Sequence, residues 1–71
     1  KEIAAHIVSL CAVPMTFEEL LKKLFDDYAL TMTYEQYVLI GSTVRSYLAY
    51  LKDSGALEGS IEGNKLLWKA I

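Results

Sequence analysis

Few side chains in this sequence are able to do covalent or metal chemistry. There is one histidine, His6, and one cysteine, Cys11, and Asp26 and Asp27 are adjacent carboxylates. Nucleophilic hydrolysis needs a nucleophile, a base and a group that orients the base, and glycoside cleavage needs two carboxylates at a fixed separation. His6 and Cys11 are not three or four residues apart, so a helix does not stack them on one face. Cys11 reads as a small buried hydrophobe. His6 reads as a partly exposed helix residue, with a role as lone ligand to a site in another domain as the alternative. Asp26-Asp27 reads as a solvated helix end, because no further oxygen ligands follow at the spacing a hard cation requires. The glycines are scattered and form no phosphate-cradling loop. The sequence therefore predicts no catalytic residue, no metal ligand and no cofactor held by this chain itself.

What remains is a set of elements able to present a surface. Ile3, Ile7 and Leu10 recur at helical spacing beside Ala4, Val8 and Cys11, which predicts a first helix over Lys1–Ala12. Pro14 ends it, since the residue before a proline is pushed out of helical geometry. Thr16 and Glu19 form a capping box with Met15 and Leu20 as its hydrophobic staple, opening a second helix from Phe17 to about Tyr28. Phe17, Leu20, Leu21, Leu24 and Phe25 make its apolar face. The same device recurs with Thr33 and Gln36 as the box and Met32 and Tyr37 as the staple. A third helix then runs from Tyr34 toward Asp53, with Ser54-Gly55 as its stop. Gly41 within it predicts either a kink or a close helix crossing. The segment Ala29–Met32 has the length of a helix-turn-helix turn.

Two runs, Ala56–Ile61 and Lys65–Ala70, flank Glu62-Gly63-Asn64. A Gly-Asn pair supplies the positive φ angles of a tight hairpin. Leu57, Gly59 and Ile61 share one face of the first run, and Leu66, Trp68 and Ala70 share one face of the second. An isolated hairpin is marginal in water, so Leu66 and Trp68 are expected to pack back on the helices. The predicted fold class is mainly α with a small β-hairpin. More finely, it is a winged helix of three helices plus a C-terminal wing, with Val13–Met15 as a short third strand. A three-helix bundle with a frayed tail is the alternative.

On a helical wheel of about 100° per residue, Tyr37, Ile40, Gly41, Val44, Tyr47, Leu48 and Leu51 gather as the core stripe of the third helix. Most of the tyrosine surface is thereby structural rather than a stacking platform for single-stranded nucleic acid. The opposite side carries Glu35, Ser42, Ser46, Ala49 and Asp53, flanked by Val38, Leu39 and Tyr50. Charged residues are depleted and aromatics enriched at interface centres. Val38, Leu39, Ser46, Ala49 and Tyr50 are therefore the candidate protein-contact face, with cover by the first helix or the hairpin as the competing reading of Leu39 and Tyr50. A DNA-binding domain of a transcriptional regulator is the alternative function. It would use Arg45, Lys52, Lys65 and Lys69, but the helix offers few bidentate base readers and its carboxylates would face phosphates.

The composition agrees with a folded, non-catalytic module. Its 71 residues are 54% hydrophobic and 23% charged with net charge −2, and the isoelectric point is near 5.2. That excludes a disordered chain and gives no basic field for nucleic acid. A chain of this size makes one domain at most, and no run reaches the roughly 18 apolar residues of a membrane span. A lone cysteine points to a reducing compartment, so a cytoplasmic location is expected. Starting on Lys1 and ending on an apolar run, residues 1–71 read as one domain cut from the C-terminal part of a longer protein.

Four stretches carry a family likeness: Met15–Leu21, Tyr34–Leu39, Ser42–Leu57 and Lys65-Leu66-Leu67-Trp68. Together they resemble the C-terminal winged-helix accessory domain of bacterial metallo-β-lactamase-fold hydrolases, over almost the whole chain. In that family the metal is held by a His-x-His-x-Asp-His cluster in the catalytic domain, and the motif is absent here. The resemblance implies no ligand in this chain. It implies a parent hydrolase that binds zinc or another divalent metal. Its partner would be the catalytic domain of the same chain or a second subunit, and this domain would cap a channel, support dimerisation or recruit a partner.

Overall fold

The computed structural model describes residues 2–71, with side chains from residue 3 onward. Lys1, where the sequence places the start of the first helix, lies outside the described residues. Three helices are followed by an antiparallel hairpin: α1 Glu2–Leu10, α2 Phe17–Asp27, α3 Tyr34–Asp53, β1 Leu57–Glu62 and β2 Lys65–Ala70.

α1 ends two residues earlier than its apolar pattern suggests. Cys11 and Ala12 form a turn, and the Val13 amide donates to the Leu10 carbonyl. α2 begins at a complete capping box: the Thr16 hydroxyl accepts from the Glu19 amide, and the Glu19 carboxylate accepts from the Thr16 amide at 2.9 Å. Met15 and Leu20, the predicted staple, are both buried. α3 starts with half of the same device. The Thr33 hydroxyl accepts from the Gln36 amide at 3.2 Å, but among the described hydrogen bonds Gln36 returns none. Met32 stays exposed, and the Tyr37 hydroxyl donates to Glu18 of α2.

α2 and α3 stop in the same way. After α3 the Ala56 amide reaches the Leu51 carbonyl and the Gly55 amide reaches Lys52, with Gly55 left-handed at φ 87°. After α2 the Leu30 amide reaches Phe25 and the Ala29 amide reaches Asp26. Both patterns are Schellman motifs, which satisfy orphan carbonyls by turning one residue into the left-handed region. In the second, that residue is an alanine: Ala29 has φ 56°. Nothing in the residue types of Ala29–Met32 announces this.

α3 is continuous through Gly41. The glycine is buried, and a Cβ built there would stand 3.6 Å from the Phe17 ring and 3.9 Å from Leu21 Cδ2. Neither expectation for this glycine is met: the helix does not kink, and a Cβ would make only ordinary contacts, so no close crossing requires its absence.

β1 and β2 pair in the register Leu57↔Ala70 through Glu62↔Lys65, closed by the two-residue turn Gly63-Asn64. Both turn residues have positive φ, at 58° and 62°, as a type I′ turn requires. β1 runs one residue later than its sequence pattern suggested. On its far side β2 exchanges two backbone hydrogen bonds between Trp68 and Met15, and Ala70 donates to the Cys11 carbonyl. These bonds tie the hairpin to the α1–α2 link and exclude a frayed tail. Trp68 packs against the core, as expected. Leu66 is 43% exposed and Ile61 70%: both lie near the hairpin tip, where Leu66 borders a hollow with Phe17 and Arg45 without being buried by them.

The core gathers Ile7 and Cys11 of α1, Met15 of the link, and Leu20, Leu21, Leu24 and Phe25 of α2. Val44, Leu48 and Leu51 of α3 and Leu57 of β1 complete it. Among the described residues no buried side-chain polar atom lacks a partner, and no helix is long and apolar enough to cross a membrane.

Candidate functional site

The residues with chemical potential are all in structural employment. Cys11 is fully buried, and that burial raises its thiol pKa; a protonated, inaccessible thiol is a poor nucleophile. His6 Nε2 lies 2.7 Å from Asp27 Oδ2, and its ring meets Tyr28 edge-on at 5.6 Å between centroids. Asp26 is paired with Lys22 at 2.7 Å one turn back, which raises the lysine pKa through the hydrogen bond and the charge. The two adjacent carboxylates thus point to different partners. Among the described residues no cluster of three or more His, Cys, Asp or Glu side chains is placed to hold a metal ion.

α3 presents Tyr34, Val38, Leu39 and Tyr50 to solvent, and Val13, Ile61 and Ile71 are exposed elsewhere. The inward side of α3 buries Gly41, Val44, Leu48 and Leu51. Tyr37, Ile40 and Tyr47 are only partly buried at the edges of that stripe. Tyr37 and Tyr47 pack on the core as the stripe predicts, while Tyr34 and Tyr50, outside that stripe, are 81% and 65% exposed. Neither of these two falls on the inward arc.

Val38, Leu39, Ser46, Ala49 and Tyr50 are all exposed, and neither α1 nor the hairpin covers Leu39 or Tyr50, each 65% exposed. The five do not form one patch, however. At about 100° per residue, Val38 and Ala49 lean to one side of the outward line and Leu39 and Tyr50 to the other. Val38 borders a hollow with Phe17, Tyr37 and Arg45, whereas Ser46 and Tyr50 border another with Thr43 and Tyr47.

Thr43 connects this second hollow to a larger one between the three helices, of about 460 Å³, with Ile3, Tyr28, Leu30 and Ile40 on its walls. The Thr43 hydroxyl donates to the Leu39 carbonyl at 3.3 Å, so even this polar side chain is satisfied within the helix. Sequence reasoning missed Thr43, Tyr28 and Leu30. Thr43 was legible, standing four residues after Leu39, three before Ser46 and seven before Tyr50. Tyr28 and Leu30 were not, because their positions follow from the left-handed Ala29 between them.

The four cations of the nucleic-acid reading are dispersed and mostly engaged. The Arg45 guanidinium lies 3.9 Å over the Phe17 ring, a cation–π contact. Lys69 faces Glu58 across the hairpin at 3.4 Å. Lys65 shares a hollow with Arg45, Leu66 and Trp68, but Glu18 lines it as well. Lys52 is exposed in the last turn of α3. Nearby, the Glu18–Tyr37 hydrogen bond raises the tyrosine pKa, and the backbone bond from Thr16 lowers that of Glu19.

No family model, curated protein or solved structure matches this chain, so the likeness to the hydrolase accessory domain rests on the residues that carry it alone.

Proposed function

We propose that this chain is a winged-helix-like module without catalytic activity that docks on a protein partner through the outward face of α3. The observation that carries the reading is the exposure of Leu39 and Tyr50, each at 65%, on a side of the helix with no charged residue between Glu35 and Asp53. Apolar and aromatic side chains on a sector depleted of charge support an interaction surface. The winged-helix layout is supported by the element order and by the one-residue Met15–Trp68 bridge, which pairs the link with β2 where the sequence predicts a third strand over Val13–Met15.

Under the resemblance in the sequence, the partner is the catalytic domain of a metallo-β-lactamase-like hydrolase, in the same chain or in a second subunit. Any zinc or other divalent metal then belongs to that domain. The test is Tyr50→Arg in the natural protein, followed by sedimentation and by assay of its activity. Loss of association, or a change in activity, is expected while the helical content is unchanged. An unaltered association state and activity would remove the basis of the reading. Binding of generic duplex DNA at low salt, lost by orders of magnitude at moderate salt, would instead favour the regulator.

A further inference from the structure

The docking side of α3 has a regular pattern. Gln36, Leu39, Thr43, Ser46 and Tyr50 follow one another at spacings of three and four, the seam spacing at which one helix packs along another. Across this stripe lies the apolar hollow walled by Ile3, Tyr28, Leu30 and Ile40. Stripe and hollow share Thr43, so a surface of apolar and small uncharged side chains runs from the end of α2 to the last turns of α3.

Among the described residues on this outward side of α3, charge occurs only at the ends. Glu35 and Asp53 are exposed on the outward side of α3, and neither forms an ion pair among the described residues. They stand roughly 27 Å apart along the axis at about 1.5 Å per residue. Asp27, near the far wall, is already held by His6. A second copy of this chain is a poor occupant: laid antiparallel it brings Glu35 onto the other copy's Asp53, and laid parallel it brings like residue onto like. Each arrangement opposes carboxylates.

The geometry points to an amphipathic helix of a partner protein as the occupant, apolar on its docking side and carrying Lys or Arg near both ends. This inference rests on the reading of α3 as a docking face and adds the chemistry of what docks. Helix-in-groove recognition reads apolar anchors at i, i+3, i+4 and i+7, which is the pattern the stripe would meet. The carboxylates at the two ends would select among such helices by charge and fix the length that fits.

Three synthetic peptides of about 18 residues test it, a length set by the Glu35–Asp53 span at about 1.5 Å per residue. All three keep the same composition of leucines and alanines. One has lysines at both ends, one has glutamates there, and one has lysine ends with the apolar stripe scrambled. Binding to the 71-residue chain is measured by calorimetry and mapped by amide chemical shifts. The lysine-ended peptide is expected to bind roughly tenfold tighter than the glutamate-ended one, with the advantage shrinking in high salt. Shifts should centre on Leu39, Thr43, Ser46 and Tyr50, and the double variant Glu35→Lys with Asp53→Lys should reverse the preference. Both substitutions are on the surface and leave the core intact.

Equal binding of the two amphipathic peptides, binding of the scrambled one, shifts that map elsewhere, or no binding would overturn the inference. So would self-association of the chain through this face. The Tyr50→Arg variant of the natural protein separates the two readings. If it loses association while the peptides fail, the docking face stands and the basic helix falls. If neither responds, both fall.

Discussion

Replacing Ala29 with glycine should make this protein more stable, although it removes atoms and adds no contact. Ala29 is exposed and sits at φ 56° as the left-handed residue of the Schellman motif that ends α2. Its amide and that of Leu30 bond to the Asp26 and Phe25 carbonyls at 3.2 and 2.8 Å, which holds the backbone in this conformation. A left-handed L-residue costs roughly 1–2 kcal/mol, and glycine escapes that cost. Glycine also enlarges the freedom of the unfolded chain, which returns about 0.4–1 kcal/mol. The net expectation is a gain of roughly 0.5–1 kcal/mol. A domain this small unfolds with an entropy such that each kcal/mol moves the midpoint by about 4–8 °C, so Tm should rise by about 2–8 °C. Thermal and urea unfolding followed by circular dichroism at fixed protein concentration measure both quantities. The series Gly, Asn, Ala, Val should fall in that order, since Asn tolerates the left-handed region and a β-branched residue does not. A glycine variant equal to or weaker than the native protein, with valine no worse, would show that residue 29 is not left-handed. The geometry derived for Tyr28 and Leu30 would fall with it.

Gly41→Ala should also stabilise, by up to about 1 kcal/mol, because a Cβ at 3.6 Å from Phe17 makes an ordinary contact; denaturant unfolding with an unchanged m-value checks it. Glu19 has a pKa below the usual glutamate value through its bond to the Thr16 amide. Its contribution is therefore complete above the unfolded value of about 4.3 and is lost as pH falls through the lower folded one. Urea midpoints measured across that acid window should decline less steeply in Glu19→Gln than in the native protein, and equal slopes would contradict the cap. The pair Leu39→Lys and Tyr50→Lys should change stability by no more than about 0.5 kcal/mol each, since both side chains are exposed, while removing any association made by α3. A large loss of stability would mean that the two belong to the fold.

Much of this fold is legible because its boundaries are chemical. Thr16 and Thr33 each mark a helix start by offering an oxygen to an orphan amide. Gly63-Asn64 marks the hairpin by tolerating positive φ, and the alternation along β2 correctly sends Trp68 to the core. What escaped is what a neighbour decides. Ala29 takes a conformation that its residue type disfavours because two capping bonds hold it there. Tyr37 fits the inward arc, yet its hydroxyl is drawn to Glu18. The candidate face was found as a list of outward residues. Its division, with Val38 toward Phe17 and Arg45 and with Ser46 and Tyr50 toward Thr43, depends on where α1 and α2 lie, and no periodicity within α3 encodes that.

The composition of that face is itself informative. Folding places demands on Gly41, Val44, Leu48 and Leu51, which are buried, and on the caps at either end of α3. It places none on Leu39 or Tyr50, where a lysine or glutamate would serve the helix as well or better. Apolar side chains at such positions cost solubility without contributing to the core. An ordinary solvated helix face would carry charge along its length, yet here the charges stand at Glu35 and Asp53 and the interval between them is neutral. DNA binding would ask for the opposite distribution, with cations toward the groove. Instead Arg45 lies over Phe17 and Lys69 faces Glu58. The pattern on α3 is therefore not one that stability or a phosphate backbone asks for, and the docking proposed above, which would remove Leu39 and Tyr50 from water, accounts for it.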